Sequence, residues 1–212
     1  MPPPQNVVSL SASATTELAN DWLTLVLGTT REGSDAAVVQ AQLKQALETT
    51  LVEARKLAKP GQVELRSGNF SLYPRYAPKG GISGWQGTVE LVVEGRDVAA
   101  ITQLAGRAGA LTVSRLGFSL SREAREKAEA EVTGQAINAF RAKAAATSQA
   151  FGFGGYTLRE VTVGGDGPVV QNEAPMFRVR AMVASAEAAP PVEAGKATVA
   201  VTVSGSVQMS PR

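Results

Sequence analysis

Carboxylates are the main groups in this chain that could carry out chemistry, because its 212 residues include no histidine and no cysteine. Histidine is the side chain whose ordinary pKa lies nearest neutrality, and cysteine supplies the thiolate of nucleophilic and redox catalysis. Their absence excludes Ser-His-Asp and Cys-His relays, HExxH zinc sites and cysteine redox pairs. We therefore expect a protein that is not an enzyme and that uses no cofactor and no metal ion.

A group of glutamates at the start of a long predicted helix is the densest set of carboxylates. The group consists of Glu123, Glu126, Glu129 and Glu131, and basic residues lie between its members. Paired catalytic carboxylates need a cleft that separates their pKa values. Acidic residues in the first turns of a helix also stabilise its dipole while they face solvent, and we interpret the group in this way. The opposite interpretation, an enzyme that uses carboxylate, lysine or tyrosine chemistry, is the last of the three hypotheses about function that we consider.

Two glycine-rich segments resemble ligand-binding loops. The first, at 152–155, follows a predicted helix, whereas a phosphate-binding loop precedes one, so we interpret it as a helix C-terminus. The second, at 164–167, has one carboxylate, Asp166, which is too few oxygen ligands for calcium. We interpret it as a turn.

Composition limits the class of protein. Apolar residues make up 44% of the chain and charged residues 19%, which is typical of a globular protein. The formal charge of +2 is too small for a nucleic-acid-binding surface, and no apolar segment is long enough to cross a membrane. Residues 1–6 lack the basic and apolar regions of a signal peptide and are expected to form a disordered leader.

Hydrophobic periodicity predicts an α+β protein with mixed or antiparallel sheets, a long C-terminal helix and two shorter helices. Strands are predicted over 7–14, 22–30, 62–76, 85–94, 111–120, 156–163 and 198–209, and helices over 34–59, 97–109 and 121–151. A short edge strand over 177–183 could lie within a variable loop at about 164–194. We expect one domain over 7–209, which could divide into two subdomains.

Aromatic residues are the candidates for an interface. Trp22 and Trp85 each suit either a core position or an interface anchor, because tryptophan is favoured at both. Phe177 and Val179 lie on the predicted edge strand, where a partner could pair. Tyr73 and Tyr76 could form a stacking surface, but nearby prolines favour an exposed strand end.

Four segments resemble the SIMPL-domain family, which includes a bacterial oxidative-stress-defence protein and periplasmic immunogenic proteins. They are 84–86 with the alternating strand that follows, 116–121 before the long helix, 136–152 within the alanine-rich helix, and the closing strand from Gly195. The chain has Asn20-Asp21 where the family usually has a proline-aspartate pair, and Phe140 where a small residue is usual.

The resemblance implies a periplasmic or cell-envelope protein whose signal peptide has been removed, with a link to oxidative-stress defence. It also implies self-assembly into a homo-oligomer in at least some members. Our leading hypothesis is a non-enzymatic envelope protein that acts through self-assembly or through binding a protein partner. The alternative is a monomeric module that binds a small ligand or peptide between the long helix and the sheet.

Overall fold

The computed structural model describes residues 5–164, 171–172 and 194–212. In chain order the elements are β1 (Val7–Ala19), β2 (Trp22–Gly33), α1 (Ala36–Leu57), β3 (Glu64–Tyr76), β4 (Ile82–Gly95), α2 (Val98–Arg107), β5 (Thr112–Ser119), α3 (Arg122–Ala150), β6 (Gly155–Val163), β7 (Gln171–Asn172) and β8 (Lys196–Ser210). The predicted α+β fold class is therefore confirmed, and every described strand pairing is antiparallel. Phe177, Val179 and the strand predicted over 177–183 lie outside the described residues.

The elements divide into two compact units, each with its own sheet. One unit has the strand order β3-β4-β2-β5 and carries α1 and α2, and we call its sheet the central-segment sheet. The other has the order β1-β8-β6, with β7 also paired to β8, and carries α3. Because its strands come from both ends of the sequence, we call it the terminal-segment sheet.

The central-segment sheet has a large apolar core. Helix α1 begins after Asp35, whose carboxylate accepts hydrogen bonds from the backbone N–H groups of Ala37 and Val38 at 2.7 and 3.2 Å. Leu43 of this helix packs so closely on β4 that a Cβ at Gly87 would lie 2.6 Å from its Cδ1. Among the described residues, sixteen buried ones form the core, including Leu23, Leu25 and Leu27 of β2.

Two details of this unit agree with the sequence pattern, and one does not. Gly68-Asn69 interrupts the pattern of the strand predicted over 62–76 and so predicts a bulge, and the β3–β4 register breaks there, between Ser67 and Phe70. Val92, which breaks the alternation of β4, is buried opposite Val26. The last helical residue of α2 is Arg107 and its C-cap is Ala108, so the helix ends before the predicted Gly109, and Leu111 N–H closes the following turn onto Ala108 O at 2.6 Å.

The terminal-segment sheet has a smaller core, made by α3. Ser121 caps this helix, accepting a hydrogen bond from the N–H of Ala124 at 3.3 Å. The buried positions of α3 recur every four residues and are mostly small: Ala128, Val132, Ala136, Phe140, Ala144 and Ser148. The apolar pattern of the long helix in the sequence predicts a stripe that also includes Ile137 and Phe151, but both are exposed, so that part of the prediction is wrong. Ile137 lies about 100° around the helix from Ala136, and Phe151 is the C-cap, beyond the last helical residue.

Candidate interaction surface

The carboxylates at the start of α3 form a charged helix surface. Arg122 Nε donates to Glu126 at 2.7 Å, and Gln135 donates to Glu131 at 3.2 Å. The hydrogen bond from Glu126 and its negative charge raise the pKa of Arg122 above its ordinary value. These are the local pairs expected between residues four apart on a solvated helix.

Within the described ranges, no group of three or more metal-ligating side chains lies close enough to hold an ion. The glycine segment after α3 is a helix C-terminus, as predicted. Gly152 has a φ of +81°, and Phe153 N–H donates to Ser148 O at 2.9 Å. Asp166 and its flanking glycines 165 and 167 lie outside the described residues.

The two tryptophans lie on strands of the central-segment sheet. Trp85 is half-buried and packs against the sixteen-residue core, which favours the core interpretation for this residue. Trp22 is half-buried at the start of β2, opposite Ser119 at the end of β5. The structure does not bring the two side chains into one surface cluster.

Tyr73 and Tyr76 lie on an exposed strand end, the interpretation that the prolines favour. Tyr76 is opposite Ile82 near the turn of the β3–β4 hairpin, where Ala77 N–H donates to Gly81 O at 2.9 Å. Arg75, between the two tyrosines, forms an ion pair with Glu32. These contacts describe a solvated hairpin tip.

The two best-formed depressions among the described residues lie beside α1, not between the long helix and its sheet. They have volumes of about 270 and 340 Å³, and both include Thr49 and Ala110. Arg31 lines one and Arg107 the other. Both are wide open to solvent, unlike the enclosed apolar pocket that the ligand-binding alternative requires.

Strand β6 carries a row of uncovered apolar side chains on the face of its sheet that α3 packs against. Leu158 lies opposite Val207, and Val163 opposite Val203, two core residues beneath α3. Directly opposed residues share a face of the sheet. Nevertheless Leu158 is 55% exposed, Val161 39% and Val163 47%.

The helix leaves this row uncovered because it is too narrow. Strands lie about 4.8 Å apart and a helix with its side chains is about 10–12 Å wide, so one helix covers about two strands. Helix α3 packs mainly on β1 and β8. Tyr156 at the start of β6 donates to Arg141 O at 3.2 Å, and Ile137, one turn earlier on α3, is also exposed. We call Leu158, Val161 and Val163 the β6 apolar row.

Among the described residues, the backbone of β6 has no strand partner along the edge that faces away from β8. Gly164 N–H donates to Thr202 O at 2.9 Å, so Gly164 directs its backbone groups toward β8. In an antiparallel pair every second residue of a strand does so. Glu160 and Thr162 therefore direct their backbone groups toward β8, and Val161 and Val163 direct theirs away. Among the described residues, β6 pairs with β8 alone.

A bulge divides the β6 edge into two halves. The register shifts between Leu158 and Glu160, so that Arg159 is the extra residue. The bulge brings Glu160 O so close to β8 that a Cβ at Gly205 would lie 2.2 Å from it. Within the described part of the chain, neither Arg159 nor Glu160 has a salt-bridge partner.

Strand β1, at the opposite edge of the same sheet, is different. Asn6 O accepts from Met209 N–H and Asn20 N–H donates to Gly195 O, so the odd-numbered residues between them direct their backbone groups outward. One of these outward groups, Ser11 O, accepts a hydrogen bond from Lys143 Nζ of α3 at 2.9 Å. A lysine at an edge discourages pairing with another chain. Among the described residues, an outward backbone group of β1 is thus bonded to a side chain of α3, whereas the edge of β6 carries a bulge and two charged residues of its own.

Sequence reasoning identified β6 as a strand but did not identify it as a surface. The available signal was the pair Arg159-Glu160, which interrupts an otherwise alternating apolar pattern from Tyr156 to Val163. That interruption indicates a bulge. The exposure of the apolar residues depends on the position of α3, which one strand's pattern does not specify.

The described residues define an α+β protein with two antiparallel sheets, and in one of them a strand edge without a described partner lies beside exposed apolar side chains. The chain belongs to the SIMPL family, described as a protein of unknown function (DUF541), whose model matches residues 8–207. No relative among the curated proteins matches the chain. Among the described residues, no helix is long and apolar enough to cross a membrane.

Proposed function

We propose that this chain is a non-enzymatic protein of the periplasm or cell envelope, that it acts through self-assembly or protein binding, and that it contributes to oxidative-stress defence. The observation that carries the assembly part is the β6 apolar row beside an open strand edge. Exposed apolar residues next to unpaired backbone groups are typical of surfaces that add a strand from another chain.

Other observations support a non-enzymatic role. The sequence has neither histidine nor cysteine, and the carboxylates at the start of α3 form ordinary surface pairs. Only four methionines could be oxidised reversibly, which is few for a sacrificial antioxidant. SIMPL proteins are generally exported, which supports an envelope location.

The first test is the solution mass of the purified protein, measured by light scattering after size exclusion over a range of concentrations. A discrete species above the 22.0 kDa monomer mass supports self-assembly. A monomer at every concentration argues against it and directs attention to a protein partner or to the ligand-binding alternative.

The second test addresses catalysis and stress defence separately. The purified chain is expected to leave hydrogen peroxide concentrations unchanged over many molar equivalents. Cells that lack the protein should survive peroxide less well, and survival should return with the wild-type chain. Catalytic peroxide consumption would contradict the non-enzymatic part, and unchanged survival would contradict the link to stress defence.

A further inference from the structure

We propose that the β6 edge binds the β6 edge of a second copy of this chain, antiparallel, about a two-fold axis that passes between Arg159 and Glu160. The inference rests on the proposed function of self-assembly and names its partner and its surface. A two-fold contact of this kind closes on itself, because each copy presents the same residues to the other.

The order of residues on β6 is self-complementary about that axis. Antiparallel pairing places Arg159 opposite Glu160 of the other copy, and the symmetry repeats this pair on the other side of the axis. Opposite charges placed across two strands stabilise their pairing. Both residues have no ion-pair partner within the described part of their own chain, so both charges are available for this pairing.

The same register brings apolar residues together on the opposite face. Leu158 lies opposite Val161 of the second copy, and Tyr156 lies opposite Val163. These side chains are on the face that α3 packs against, so the pairing would cover the β6 apolar row and continue the small core beneath α3. The outward backbone groups of Val161 and Val163 would gain the hydrogen-bond partners that they lack among the described residues.

Other strands that could pair with the β6 edge would place different residues opposite Arg159 and Glu160. Pairing of β6 with β1 of another copy would place Arg159 opposite a strand whose only charged residue is Glu17. A third alternative is that the edge pairs with no chain, because bulges and charged residues protect strand edges against pairing. Only the two-fold arrangement requires that charge changes at 159 and at 160 compensate each other between two copies.

Charge reversal tests that requirement. Alone, Arg159→Glu or Glu160→Arg puts like charges opposite each other twice, and we expect the apparent dissociation constant of the assembly to rise at least tenfold. Mixing the two variants in equal amounts restores opposite charges in a mixed pair, and we expect the mixture to recover the wild-type mass. The double variant Arg159→Glu/Glu160→Arg should also assemble. Failure of both rescues, with the single variants weakened, would overturn the two-fold register.

Cysteine cross-linking provides an independent test, because the chain has no cysteine of its own. The proposed register places Thr157 of one copy opposite Thr162 of the other. Oxidising a mixture of Thr157→Cys and Thr162→Cys chains should give a cross-linked heterodimer, whereas each variant alone should give little cross-link. Far-ultraviolet circular dichroism of all variants checks that they are folded.

The outcomes separate this inference from the proposed function. A wild-type chain that is monomeric at all concentrations contradicts both. A wild-type assembly whose mass does not respond to the charge reversals, and whose cysteine variants do not cross-link, leaves self-assembly in place and overturns the β6 contact.

Discussion

The two sheets differ in how many helices cover them. The central-segment sheet has four strands, two helices and a core of sixteen buried residues. Among the described residues, the terminal-segment sheet has one helix, and the buried residues beneath it form two separate clusters of five and four. One helix is wide enough for about two strands. The consequence is that the third long strand, β6, keeps its apolar residues exposed.

The width of α3 therefore determines how many strands of the sheet it covers. Its buried stripe is made mostly of alanines, which bring the helix close to β1 and β8 but add little bulk. Phe140 is the only aromatic residue in that stripe. Its large side chain is one of the five buried residues of the larger cluster in this sheet's core.

Removing the Phe140 side chain is expected to have the largest effect on the difference in stability between the two sheets. Phe140→Ala should lower the free energy of unfolding by about 3–5 kcal/mol, because it opens a large cavity in a small core. Amide hydrogen exchange should accelerate in β1 and β8 more than in β2 and β4, and urea denaturation gives the total loss. Phe151→Ala is the matched control; this side chain is 67% exposed, so the expected change is within about 0.5 kcal/mol. Equal effects of the two changes would contradict the described packing of α3.

A change at the bulge tests how tightly β6 is held by β8. Gly205→Ala would place a Cβ 2.2 Å from Glu160 O, so β6 must shift, and we expect a loss of about 1–3 kcal/mol in thermal or urea unfolding. Gly134→Ala is the control, because nothing lies within 4 Å of its added Cβ and it is within α3. That change should stabilise the chain by about 0.5–1 kcal/mol. A neutral Gly205→Ala variant would show that the strands do not approach each other so closely.

The smallest expected effect on stability is at the edge of β1, where Lys143 bonds to Ser11 O. Lys143→Ala removes the hydrogen bond to Ser11 O, and an exposed contact of this kind contributes about 0.5 kcal/mol or less. The larger consequence should be association through β1, seen as rising light scattering on storage. Lys127→Ala, on the same exposed helix, controls for the lost charge. Identical scattering from both variants would mean that Lys143 does not protect the edge.

Much of the fold could be predicted from the sequence. The helices predicted to start at 34, 97 and 121 begin in the structure after the capping residues Asp35, Asp97 and Ser121. These features are local, since a capping side chain bonds within its own first turn. The β6 apolar row could not be predicted, because burial of Leu158 depends on a helix that crosses other strands. The interface predicted at Phe177 and Val179 stays a prediction.

The pairing of β1 with β8 has a consequence for how the chain folds. Ser13 and Thr202, whose hydroxyl groups are 2.9 Å apart, are separated by 189 positions in the sequence. Contacts between distant residues form slowly, because the long intervening chain must be closed first. The strands of the central-segment sheet are contiguous in sequence and could pair as soon as residue 119 is synthesised. During synthesis β1 therefore stays unpaired until β8 has been made. An unpaired strand can pair with the wrong partner, so β1 is the strand most exposed to mispairing.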